Sequence, residues 1–305
     1  MVHSSPMNLI GHANIIGRLT VARAAGRLAH GLCFVGPEAV GKRTAAFLLA
    51  SELLGTKNPE RHADFYFVTR ERDEKTDVPK HEISVEQIRR LREQLSQTSF
   101  FSGPKVAVID EAETLSISAA NALLKTLEEP PGKTTIILVT SAMEALPATI
   151  ASRVQTFRFQ PVTVADMKAG GIDENLARAS AGRPGIAITL RDPDELERHE
   201  GDLAEFRELV SAPVWKRAKI IESWFGKKKA HAEGIAELRG RVRLWKTVLR
   251  ESLLAEAGAG ELVGTPLVRD NIANAHALLL RIGRLETLVA ANANVRYALE
   301  ACFLT

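Results

Sequence analysis

The chain has 305 residues, 45% of them hydrophobic, with 40 Lys and Arg against 37 Asp and Glu and a net charge of +3. That length allows two or three domains of ~100–150 residues with a sizeable core, and so small a charge argues nucleic-acid binding only where cations cluster. Two cysteines, Cys33 and Cys302, exclude a disulfide framework and a Cys-rich zinc site. No apolar run approaches the ~20 residues of a membrane helix, and Met1 to Asn8 has no signal-peptide core, so a reducing cytoplasm is the expected setting.

In chain order the first half alternates strands and helices. Gly31 to Val35 is a short apolar strand, and Gly41 to Leu54 is a helix with Ala45, Leu48, Leu49 and Leu53 on one face. Phe65 to Val68 is aromatic and β-branched. Glu71 to His81 is polar and charged and is expected to be a mobile loop. Ser84 to Gln97 reads as a helix opened by a Ser84–Gln87 capping box, with Val85, Ile88, Leu91 and Leu95 inward. Val106 to Ile109 is a buried strand, Ser118 to Glu129 a helix stopped by Pro130-Pro131, Thr134 to Thr140 another buried strand and Thr156 to Phe159 a short last one. Apolar strands alternating with helices imply a parallel sheet covered on both faces.

After Pro161 the pattern is helical. Val162 to Leu190 reads as a small helical unit, and Arg191 to Gly201 as a charged linker. Helices are expected over 203–210, 213–226, 231–257 and 269–291, with a last one from Asn294. Trp215, Ala218, Ile221, Trp224 and Phe225 form one apolar stripe. Ile235, Leu238, Val242, Trp245, Leu249 and Leu253 form a second.

The strongest chemical signal is Gly36-Pro37-Glu38-Ala39-Val40-Gly41-Lys42, after a strand and opening a helix. Such a loop turns backbone N–H groups around phosphates, with Lys42 as a point charge at a helix N-terminus. The full pattern places a Ser or Thr hydroxyl after the Lys as a magnesium ligand. Here that position is Arg43, and Thr44 comes one residue late. Asp110 and Glu111 end a buried strand, where a P-loop enzyme holds its metal and orients the attacking water. Thr140 and Ser141, at the end of another strand, are γ-phosphate sensor candidates against the simpler reading that they open a loop. Arg153 is an arginine-finger candidate against the simpler reading of a surface ion pair. ATP and magnesium are left open by this degenerate loop. Arg89, Arg90 and Arg92 cluster on one helix and could track phosphates, although a solvated charged face explains them as well.

Together these residues resemble the bacterial clamp-loader branch of AAA+ proteins, and within it the delta-prime type. The resemblance begins at Ile10-Gly11-His12, near the family's adenine pocket. It is densest at Asp110-Glu111-Ala112-Glu113 and at Ala119 through Leu127-Glu128-Glu129-Pro130-Pro131, continues at Ser152-Arg153-Val154, and returns at Asn292 through Glu300. It implies an α/β P-loop (AAA+) domain with a parallel sheet over 1–160, a small helical lid over 161–195 and an all-α collar over 196–305. The implied nucleotide-binding residues are Ile10, Gly36, Gly41, Lys42, Arg43 and Thr44, with Asp110 and Glu111 as the acids and Arg153 donated in trans.

The resemblance also implies gamma/tau and delta subunits as partners, with the sliding clamp and primer-template DNA reached through the complex, and no membrane. Arg43, and Gly185 where active relatives carry a second-sensor Arg, favour a stator that turns over little ATP itself. Arg183, two residues earlier, is expected to be out of place for that role. The four-cysteine zinc module of many relatives is missing between Gly55 and Ala63. The alternatives are a gamma/tau-like or replication-factor-C-like motor, for which Lys42 and the acid pair speak, and a non-catalytic AAA+ scaffold.

Overall fold

A computed structural model describes residues 8–73, 75, 77–225, 231–257, 275–290 and 294–304. The chain divides into two compact units. The first is residues 1–162 together with 183–185, and the second is residues 163–182 with 186–305. Residues 183–185, inside the segment expected as a lid, therefore belong with the first unit.

The first unit is built on a five-stranded sheet in the order β2-β3-β4-β1-β5. The strands are β1 (Gly31–Val35), β2 (Phe65–Val68), β3 (Lys105–Ile109), β4 (Thr134–Thr140) and β5 (Gln155–Arg158), and every pairing is parallel. Phe34 on β1 lies beside Val139 on one side and Phe157 on the other. Strands β1, β3 and β4 are buried along their whole length, as apolar strands covered on both faces must be. Alternation then sorts their side chains. Leu32, Phe34, Val106, Val108, Ile137 and Val139 pack with α1 (Ala13–Ala24) and α2 (Lys42–Leu54). Cys33, Ala107, Ile109, Ile136 and Leu138 pack with α3 (Val85–Ser96) and α4 (Ile117–Glu128).

Local signals set the helix starts. Ser84 and Gln87 form the reciprocal capping box, and the Ser116 hydroxyl accepts from the Ala119 N–H, so α4 begins at Ile117. Parallel strands share one direction, so the carboxyl ends of β1, β2, β3 and β4 gather Gly36, Arg70, Asp110 and Ser141 on one side of the sheet.

The segment expected as a mobile loop carries contacts at its two ends. Arg72 bridges to Pro79, Lys80 pairs with Glu71 at 2.9 Å and Arg90 with Glu71 at 3.2 Å. Lys80 and Arg90 thus share Glu71, and all three side chains keep a third or more of their surface in water.

In the second unit, α6 (Val164–Ala169), α7 (Glu174–Ala179) and residues 186–189 of α8 (Pro184–Thr189) lead to α9 (Pro193–Ser211), α10 (Val214–Phe225), α11 (His231–Glu256), α12 (Ala275–Ala290) and α13 (Val295–Phe303). The expected linker at 191–201 is instead the start of α9. Asp192 caps it, Pro193 takes its first turn, and Arg198 pairs with Glu195 one turn back. Trp245 centres the core, stacked on Phe206 at 5.4 Å and edge-on to Phe303 at 5.3 Å. The second stripe is core at Leu238, Val242, Trp245 and Leu249. The Ile235 side chain, Asn292 and Ala293 lie outside the described residues. The first stripe is only partly core. Ile221 is buried, whereas Trp215 is 64% and Phe225 42% exposed. Arg217 donates to the carbonyls of Val210, Ala212 and Phe303, capping the ends of α9 and α13.

Candidate functional site

At the end of β1 the chain turns through Gly36, φ +153°. A Cβ there would lie 2.2 Å from the Phe159 carbonyl oxygen, so only glycine fits. The loop ends at Lys42, whose Nζ donates to the carbonyls of Gly36 and Pro37, both at 2.6 Å. Burial lowers the Lys42 pKa, and Arg183 acts in the same direction against Glu113, Glu38 and Asp110. Ile10 is buried. The His12 ring leans on Phe159 at 4.7 Å, with Nε2 3.0 Å from the Val40 carbonyl.

The acids follow β3. Asp110 accepts the Glu111 N–H at 3.0 Å, and its other oxygen lies 3.8 Å from the Arg43 guanidinium. That guanidinium sits over Phe67 at 4.7 Å and Phe47 at 5.4 Å. Burial raises the Asp110 pKa, and Arg43 opposes it. Glu111 is gripped by Arg70 through two hydrogen bonds of 2.7 Å, from Nε and from Nη2. Arg70 follows β2, where Gln87 of the capping box donates to the Thr69 carbonyl at 2.8 Å. The sequence pattern does not single out Arg70. Its only signal is a cation directly after an apolar strand.

The sensor candidates turn to protein partners. Thr140 Oγ1 donates to the Ala142 carbonyl at 3.0 Å. Ser141 donates to Glu113 through its backbone N–H at 3.0 Å and through its hydroxyl at 2.5 Å. Thr44, one residue past Arg43, is rotated ~100° around α2. The Gly185 N–H donates to the Ala39 carbonyl at 2.9 Å, and a Cβ on Gly185 would stand 3.0 Å from the Ala39 Cβ. The Gly185 backbone thus lies directly against the loop at Ala39. Arg183, expected to be out of place, belongs to the same unit as the loop, and its charge acts to lower the Lys42 pKa.

These residues do not fit a magnesium ion. A guanidinium faces Asp110 where a hydroxyl ligand is required, and Glu111 is already taken by Arg70. Among the described residues no group of three or more His, Cys, Asp or Glu is placed to hold a metal.

Arg153 stands elsewhere. It follows α5 (Ala148–Ala151), and its carbonyl oxygen packs against Gly31, the first residue of β1. Its guanidinium donates to Glu128 from Nε at 2.8 Å and from Nη2, and from Nη1 to the Thr149 carbonyl at 2.9 Å and the Ser152 hydroxyl at 3.1 Å.

A profile for the family described as DNA polymerase III, delta subunit, matches residues 11–163. The chain is 30% identical over 208 residues to DNA polymerase III subunit delta' of Escherichia coli, covering 60% of each chain. It is 33% identical over 223 residues to that of Pseudomonas aeruginosa, covering 64% of this chain and 66% of the relative, so it matches less than two thirds of either relative's length. It is also 31% identical over 208 residues to subunit tau of Bacillus subtilis, covering 64% of this chain and 33% of the relative. With its parallel P-loop sheet and helical second unit, the chain belongs to this DNA polymerase III family, as a delta-prime-type clamp-loader subunit of the AAA+ class.

Proposed function

We propose that this chain is the stator of a clamp-loader ring. It works with gamma/tau and delta subunits to load a sliding clamp onto primed DNA, and it lends Arg153 to the ATP site of a neighbouring subunit. The observation that carries the reading is the position of Arg153. It lies at the amino end of β1 and the phosphate loop at the carboxyl end, with five residues of strand between them. That is about 15 Å at the rise of a β-strand, too far for one side chain to serve its own loop. A guanidinium placed from outside stabilises the charge that gathers on the transferring phosphoryl group, an effect of ~10³–10⁵ per site.

The chain's own site supplies little turnover, because Arg43 replaces the hydroxyl and Arg70 holds the water-orienting acid. The motor reading draws on Lys42 and the acid pair. Turnover near ~1 s⁻¹ by the isolated chain would establish it.

The test is DNA- and clamp-stimulated ATP hydrolysis by the reconstituted loader. Arg153→Ala should remove the part of the total that depends on this neighbour, and Lys42→Ala should change it less. The opposite order would exchange the roles of motor and stator.

A further inference from the structure

We propose that the Arg43 guanidinium stands in for the divalent cation of this site, so that the acids at the end of β3 are balanced by the protein's own charges and take up no magnesium ion. The inference rests on the geometry of the phosphate-loop site alone and needs nothing from Arg153.

Arg43 occupies the position directly after Lys42 that the P-loop pattern reserves for a metal-ligating hydroxyl. From there its Nη1 lies 3.8 Å from the Asp110 carboxylate, the group that would hold magnesium through its shell. The Arg43 side chain is 51% exposed, but its guanidinium rests on protein. Phe67 and Phe47 support it on their ring faces at 4.7 and 5.4 Å, which fixes it toward Asp110. Its partner is the more covered of the two, with the Asp110 side chain only 16% exposed. A carboxylate so poor in water needs a cation nearby, because burial otherwise drives it toward protonation.

The second acid is balanced in the same way, since both Glu111 oxygens accept from Arg70. A magnesium ion here would need near-octahedral oxygens at ~2.0–2.1 Å and would meet two guanidinium charges instead of water. Removing Arg43 should therefore expose a latent need for a cation. In Arg43→Ser the hydroxyl ligand returns, Asp110 loses its counter-charge, and magnesium can bind.

The experiment uses the isolated full-length chain with MgCl2 alone as the probe, read by titration calorimetry and thermal unfolding, with NaCl of matched ionic strength as the control. The unaltered chain should show no binding heat and no shift of its unfolding temperature in millimolar MgCl2. Arg43→Ser should unfold earlier in EDTA and regain about 2–4 °C on adding MgCl2. Arg43→Ser combined with Asp110→Asn should regain nothing. Stoichiometric magnesium binding by the unaltered chain that Asp110→Asn abolishes would overturn the proposal, and this arm stands even if Arg43→Ser does not fold. An Arg43→Ser protein that folds and stays indifferent to magnesium would overturn it as well. Neither result bears on whether Arg153 acts in trans, because no partner is present.

Discussion

The two ends of the sheet use the same chemistry to different effect. At the carboxyl end, Arg43 and Arg70 face Asp110 and Glu111. At the amino end, Arg153 faces Glu128. The pairs differ in access to water. Arg70 is 18% exposed in its side chain, its partner Glu111 39%, and Gln87 of α3 holds the Arg70 segment at the Thr69 carbonyl, whereas the Arg43 side chain is 51% exposed. Arg153 and Glu128 are 35% and 49% exposed. A pair sheltered from water cannot exchange its partner for solvent, so breaking one side strands a charge. A pair open to water costs little to break, and its guanidinium stays available for another anion. The Arg70–Glu111 pair therefore acts as a structural joint between the ends of β2 and β3, and the Arg153–Glu128 pair is the more readily exchanged of the two.

The largest expected effect is on the sheltered side. Arg70→Met should cost about 1–2 kcal/mol in denaturant unfolding, a figure reduced because Glu111 itself is 39% exposed. A loss under ~0.5 kcal/mol would erase the difference between the two ends.

Next is pH. The Asp110 carboxyl is raised above its ordinary 3.8, chiefly by burial. The folded chain therefore holds this proton more tightly than the unfolded chain does. The stability it contributes is fully present below pH 3.8 and is lost as pH rises through the folded-state pKa. Subtracting the profile of Asp110→Asn from that of the unaltered chain should give a difference that falls with pH across that window. A flat difference would mean that burial and Arg43 cancel at Asp110, and a rising one that the Arg43 charge outweighs burial.

The smallest effects belong to the exposed pair. Glu128→Gln and Arg153→Ala should each stay within ~0.5 kcal/mol of the unaltered chain. A larger loss in either would make that pair a structural joint too and remove the contrast.

Much of the fold was legible because its signals are short-range. The apolar runs of β1, β3 and β4, the Ser84–Gln87 box and the Asn294 cap of α13 each lie within a few residues of chain. The run from 191 to 201 misled because charge density alone suggests solvation, whereas Asp192, Pro193 and an i,i+3 pair start a helix with the same residues. Helical spacing placed Trp215 and Phe225 on one apolar stripe but did not say what covers them, and both are exposed.

By itself the sequence determined the phosphate loop, the acid pair, the parallel sheet and the family resemblance, since each is written in contiguous residues. Only the tertiary structure decided what the acids meet. Arg70 and Glu111 are 41 residues apart in the chain, and Arg153 and Glu128 are 25 apart. They become partners because parallel strands carry the ends of separate segments to one side of the sheet. The same holds for Gly185, whose missing side chain acquires meaning only where its backbone closes on Ala39. Local propensity acts over one or two helical turns. Whether a charge is balanced by water, by a metal or by another side chain depends on which groups the fold brings within a few ångströms and on how much water it leaves between them.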